Sequence, residues 1–177
     1  MSGSLRRAST NSAALEALAA LAPPGVALSI YQGLRSIPAF DPDEDDGVAA
    51  LPVAVEDLRT RVRCSDGLVI AMPEYAHGVP GAFKNMLDWL VASDAFPGKP
   101  VALINTAPRA FHAQSALRET LATMAARLIP EAFVSLSLTG RAADAKSIVA
   151  DAQLAGALRQ GLAYLVEAIE AARVPGA

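Results

Sequence analysis

Thiols and imidazoles are scarce in this chain. Cys64 is the single cysteine among 177 residues, so no intrachain disulfide and no CxxC redox or metal pair can form. His77 and His112 are the only histidines, too few for a His-rich zinc site. Lysine is nearly as rare. Lys84, Lys99 and Lys146 are the only three among fifteen cations, so the positive charge is mostly guanidinium, suited to planar anions. A net charge of −3 and a pI of 5.3 exclude nucleic acid as the principal partner. No apolar run approaches the ~20 residues that span a bilayer. The stretch from Met1 to Ser12 lacks the apolar region of a secretory signal. The expectation is a cytoplasmic chain with neither membrane nor nucleic-acid partner.

What is abundant is apolar side chain. Hydrophobic residues make up 53% against 19% charged, with a mean hydropathy of +0.32. That excludes a disordered tail and supports one domain over residues 1–177 with a substantial core. Turn residues and changes of hydrophobic period divide the chain into alternating pieces. Helices are predicted over 11–22, 52–63, 81–93, 114–128 and 151–173. Strands are predicted over 26–31, 68–72, 101–105 and 133–138, and residues 32–51 read as irregular. Continuous apolar strands such as Leu68-Val69-Ile70-Ala71-Met72 are buried on both faces. Alternation with helices then argues an α/β sandwich, a parallel sheet covered on both sides. A chain of this type should open with a strand, yet this one opens on a glycine/serine loop. In a doubly wound sheet of order 2-1-3-4-5 the missing first strand is central. Its absence predicts a slot in the sheet and a less supported first loop, and raises a late start or a truncation.

Two segments carry chemistry. Gly3-Ser4-Leu5-Arg6-Arg7-Ala8-Ser9-Thr10-Asn11 gathers hydroxyls, an amide and guanidinium groups before a helix, where free N–H groups and the helix dipole favour an anion. Arg6 offers charge-assisted donors, and Ser4, Ser9 and Asn11 neutral ones. The same residue types also serve simply as helix caps. The second segment runs from Pro73 to Leu90, directly after the most apolar strand, at a C-terminal strand end where such sheets bind ligands. Gly78 and Gly81 allow close backbone approach. Tyr75 and His77 can cover a flat ligand, and Glu74 is an acceptor or a turn-stabilising carboxylate. Trp89 and Phe83 read as core, with interface packing open for Trp89. Lys84 and Asp88, four apart on a helix, are also readable as a surface ion pair. Cys64 reads as a small core residue, and the run Asp41–Asp46 as a solvated loop.

Together the segments resemble the NADPH-dependent FMN reductase family, flavodoxin-like NAD(P)H:quinone, azo and chromate reductases. Gly3, Ser4, Arg6, Ser9 and Asn11 match its phosphate loop GS-x-R-x-x-S-x-N. Pro73, Glu74, Tyr75, Pro80, Lys84, Asn85, Asp88 and Trp89 match PEYN-x-x-x-P-x-x-LKN-x-x-DW. Ile37-Pro38 with Asp43, and Gly98-Lys99-Pro100-Val101, extend the likeness over nearly the whole chain. The resemblance implies a flavodoxin-like fold, one bound FMN, NADPH or NADH as co-substrate, and a homodimer or dimer of dimers (homotetramer). Ser4, Arg6, Ser9 and Asn11 would hold the FMN phosphate. Pro73, Glu74, Tyr75, Ala76, His77 and Gly78 would line its ring, and Lys84 and Asp88 would meet a second subunit.

There are departures from the family pattern. Ala76 stands where the family has Asn. The loop after the fourth strand, usually glycine-rich, reads Thr106-Ala107-Pro108-Arg109-Ala110-Phe111-His112. Thr106 and Arg109 are the candidates for the substrate rim, Arg109 also being readable as a solvated loop residue. The implied activity is a ping-pong oxidoreductase that passes electrons from NAD(P)H to a small acceptor: a quinone, azo compound, free flavin or metal oxyanion. The cofactor carries that chemistry, so no catalytic side chain and no metal is expected. A non-enzymatic flavin carrier or redox sensor, and a flavin-free interaction module, are the alternatives.

Overall fold

The apolar runs around Ile70 and Leu103 form two adjacent strands of one parallel sheet. The structure is a computed structural model that describes residues 1–48, 50–138, 140 and 143–173. β1 (Leu68–Ala71) pairs with β2 (Pro100–Asn105), Leu68 opposite Val101 and Ala71 opposite Ile104. The far edge of β2 pairs with β3 (Arg127–Leu128) and then β4 (Val134–Ser135). These are two halves of one strand position, parted by a 3₁₀ turn at Pro130–Ala132. Backbone bonds from Leu136 to Asn105 and from Leu138 to Thr106 carry the ladder through the predicted strand 133–138.

Strand alternation sends neighbouring residues to opposite layers. Leu68, Ile70, Val101 and Leu103 face a core made with α2 (Val53–Cys64), α3 (Gly81–Val91) and α4 (His112–Thr123). Ala71 and Ile104 face the other core, made with α1 (Thr10–Ala20), α5 (Ala145–Ala150) and α6 (Ala152–Arg173). Pro52 and Pro80 stand at the N-caps of α2 and α3, where a missing N–H costs nothing.

Three predicted elements differ from those observed. The helix predicted to Leu128 stops at Thr123, because Ala125 adopts a left-handed φ of 58° and Arg127–Leu128 are drawn into the sheet. No glycine marks that stop. Ahead of the predicted closing helix stands α5, started by a capping box between Asp144 and Ser147. Asp151 then separates it from α6 and accepts from the backbone of Gln153 and Leu154. The third is the strand predicted over 26–31. Val26, Leu28 and Ile30 pack on the α1/α6 side and Tyr31 on the other, as in a strand, yet the segment belongs to no ladder of the described sheet.

The edge of β1 away from β2 is nearly bare of partners among the described residues. Only Met1–Gly3 lie along the free edge of β1: Ser2 faces Ala71, Gly3 N donates to Ala71 O at 2.8 Å, and Ala71 N donates to Met1 O at 3.1 Å. Beyond Met1 the expected slot is open. A cavity of about 520 Å³ separates residues 25–31 from Gly67–Val69. Two smaller readings need correction. Cys64 is exposed at the end of α2, not in the core. Asp45 of the acidic run is largely shielded and paired with Arg59 at 2.6 Å, instead of solvated.

Candidate functional site

Gly3 is where the two motif segments meet. A Cβ on Gly3 would lie 2.4 Å from Cβ of Met72, so only glycine lets the first loop pass over the end of β1 this closely. From there the chain turns through Ser4, whose Oγ accepts from Arg6 N at 3.3 Å, and exposes Arg6 and Arg7. Arg35 donates to Leu5 O at 3.0 Å and pins the loop from outside. Ser9 is the N-cap of α1, its side chain accepting from Ser12 N at 3.4 Å. The capping role read from the sequence is therefore real, and it leaves the start of α1 facing the same loop. Asn11 is buried in the first turn of α1, its Oδ1 accepting from the Thr106 hydroxyl at 3.1 Å.

The second loop is set by a tight turn. Tyr75 N donates to Gly78 O at 3.2 Å and Gly78 N to Tyr75 O at 2.9 Å. The two residues between them, Ala76 and His77, have φ of 50° and 58°, the signature of a type I′ turn. Neither is glycine or asparagine, so both occupy a region that costs an L-residue on the order of 1–2 kcal/mol. Strain of this kind persists where surroundings over-determine it, and here two contacts do so. Glu74 Oε2 accepts from Ala113 N at 2.9 Å, placing a carboxylate at the N-terminus of α4, where the helix dipole favours it. His77 stacks on His112 with ring centroids 4.2 Å apart and 18° between planes, and Phe111 packs on His112 at 4.1 Å.

Of the two rim candidates, Arg109 is exposed, whereas Thr106 is buried beneath the loop. The Thr106 hydroxyl bridges Asn11 and Thr10, the latter at 3.2 Å. That makes Thr106 a positioning residue joining the loop after β2 to α1. Pro73 and Glu74 are half-buried, while Tyr75 is 56% exposed. Lys84 and Asp88 form an i,i+4 pair at 2.6 Å on the outer side of α3, away from the two loops' junction at Gly3 and Met72.

Sequence reasoning passed over Thr10 and Met72, and it treated Phe111 and His112 only as bulk. The hydroxyl of Thr10 was visible in the motif, but its partner lies 96 residues away. A ring stack between His77 and His112 has no local signature at all.

The resemblance implies FMN, and the residues present suit it. Hydroxyls, a helix N-terminus and exposed guanidinium groups form a donor set for a phosphate dianion. The side-chain-free face of Gly3 and the turn at Ala76–His77 bring backbone, not bulk, to the adjoining surface. Comparisons with known proteins point the same way. The sequence model of the NADPH-dependent FMN reductase family matches residues 1–140. An NAD(P)H-dependent FMN reductase of Pseudomonas aeruginosa is 34% identical over 170 residues, covering 93% of this chain and 90% of that protein. A quinone reductase of Pseudomonas putida is 35% identical over 142 residues, 75% of this chain and 74% of its own. Among solved structures, the flavoenzyme NAD(P)H:(acceptor) oxidoreductase FerB of Paracoccus denitrificans superposes with a TM-score of 0.71 at 25% identity, over 94% of this chain and 95% of that one.

Proposed function

The chain belongs to the NADPH-dependent FMN reductase family of flavodoxin-like oxidoreductases, and from that premise we propose how its own residues hold FMN and admit an electron acceptor. Ser4, Arg6 and Ser9, with the first turn of α1, hold the phosphate. Asn11 supports them from below through Thr106. The backbone of Pro73–Gly78, with Tyr75 and His77, lies against the ring. FMN held by these residues would supply hydride and electron transfer between NAD(P)H and a small acceptor such as a quinone. The protein's part is orientation and exclusion of water. Glu74 fixes the loop to α4, the stacked His77, His112 and Phe111 wall the open face, and Arg109 offers a cation to an anionic donor or acceptor.

The observation that carries this reading is the convergence at Gly3. It brings the start of the loop 3–11 against Met72, the residue that leads into the segment with the strained turn, at the C-terminal end of β1. Steady-state NADPH oxidation with menadione as acceptor tests the activity, turnover well above that of free FMN being expected. Arg6→Ala tests the phosphate site: FMN affinity is expected to fall by about 1.5–3 kcal/mol, as for a charge-assisted hydrogen bond. Titration calorimetry returning wild-type affinity would place the phosphate elsewhere. The exposed side of α3, with Lys84, Asp88 and a 62% exposed Val91, supports pairing of two copies through this helix. Sedimentation velocity at twice the chain mass is the expected result.

A further inference from the structure

Three loops at the C-terminal end of the sheet are tied to one another. Gly3 N donates to Ala71 O, just before the turn segment. The Thr106 hydroxyl donates to Asn11, and His77 stacks on His112. Residues 1–11, 73–80 and 105–114 carry the guanidinium groups of Arg6, Arg7 and Arg109 against one carboxylate, Glu74. That carboxylate is engaged at the N-terminus of α4. None of the three arginines forms an ion pair among the described residues. In a chain of net charge −3, these loops are locally cationic and favour anionic ligands.

Apolar surface accompanies the charge. Leu5, Tyr75 and Phe111, one on each loop, are 39, 56 and 60% exposed. On loops already joined, such side chains mark a ligand surface. Phe111 begins a column of three rings, packing on His112, which packs on His77. The loop that carries Phe111 is fixed in advance. Ala110 N donates to Ala107 O at 2.7 Å, closing a β-turn with Pro108 in its second position. The Asn105 side chain holds both ends, accepting from Ala107 N at 2.9 Å and donating to Ala110 O at 3.5 Å. Arg109 takes the third position of that turn, exposed and two residues from Phe111, so their Cα atoms lie within about 7 Å.

We infer that Arg109 and Phe111 determine which acceptor the enzyme takes, a step that rests on the reading of this site as the FMN site. The acceptor class they select is a planar aromatic compound bearing an anionic group, a sulfonate or a carboxylate. The open side of the Phe111 ring receives the aromatic body by stacking. The Arg109 guanidinium, planar and always charged, receives the acid group as a forked pair. A neutral quinone meets only the ring, and a small metal oxyanion meets only the cation. A ligand with both features binds better than either.

The test uses the FMN-loaded protein and reads binding before turnover. Calorimetry with anthraquinone-2-sulfonate is expected to give an affinity that falls about fivefold in Arg109→Gln, at low salt, and about fivefold in Phe111→Ala. Turnover then compares 1,4-naphthoquinone-2-sulfonate with menadione through the ratio of their kcat/KM values. Arg109→Gln is expected to lower that ratio about fivefold, whereas Phe111→Ala lowers both values and keeps the ratio. Parent affinity for the anthraquinone in Arg109→Gln overturns the proposal, as does a ratio that this variant does not change. An Arg109→Gln variant whose only defect is a higher KM for NADPH than for NADH also overturns it, since the cation then serves the electron donor. A parent protein that holds FMN but no anthraquinone-2-sulfonate defeats this proposal alone, while one that holds no FMN defeats the functional reading beneath it.

Discussion

Ala76 and His77 carry the site's local strain, and their side chains explain little of it. A type I′ turn needs two residues with positive φ, a conformation that Asn and Gly adopt at low cost. Here a methyl-bearing residue and an imidazole do it at 50° and 58°, held by Glu74 on α4 and by the His77–His112 stack. Ala76→Asn is therefore expected to stabilise the ligand-free protein by about 0.5–1 kcal/mol, seen as a higher urea midpoint with an unchanged slope. An unchanged or lower midpoint would show that the turn is relaxed without Asn. The sequence marked position 76 as a departure from the family pattern, but only backbone geometry shows that this departure is also a strained conformation. Thr106 teaches the same lesson. Its place after a strand suggested a rim, whereas burial against Asn11 makes it a brace.

At the scale of elements, α3 divides the motif residues into two jobs. Asn85 accepts from Phe40 N at 2.8 Å and donates to Pro38 O at 2.7 Å, and Trp89 Nε1 donates to the same oxygen at 3.0 Å. The indole meets Phe40 edge-on at 5.1 Å and is fully buried. These two residues clasp the linker 38–40, so Trp89 is core. Lys84 and Asp88 point outward on the same helix, and a surface pair of this kind contributes only about 0.3–0.5 kcal/mol to folding. Their value lies in what faces them in an assembly. Asp88→Lys sets two like charges four residues apart at a cost of a few tenths of a kcal/mol, so the fold should survive. If α3 is the contact between subunits, that variant sediments as a monomer under conditions where the unaltered protein is a dimer. A variant dimer as stable as the parent would move the interface elsewhere.

For the whole molecule, the buried Met1 amine ties stability to pH. Burial lowers its pKa from 8.0 to about 5. The folded chain takes up this proton only near pH 5 and below, whereas the unfolded chain takes it up already near pH 8. Across that interval the unfolded state binds more protons, so stability rises with pH, by at most on the order of 1.4 kcal/mol per unit from this group. Denaturant melts between pH 5 and 8, on protein verified by mass to retain Met1, should show that slope. N-terminal acetylation should remove it. The amino-acid sequence by itself determined the α/β alternation, because strands buried on both faces must be apolar throughout, as Leu68–Ala71 are. It also marked residues 3–11 and 73–78 as the candidate site, from glycines, hydroxyls and a guanidinium placed before a helix and after the most apolar strand. It pointed to the cavity beside β1 as well. Only the tertiary structure decided that α4 stops at a left-handed Ala125, that Val26–Tyr31 stays outside the sheet, and that Asn11 rests on Thr106. Each of these outcomes is settled by a partner distant in the chain, and local pattern carries no record of what a residue will meet after folding.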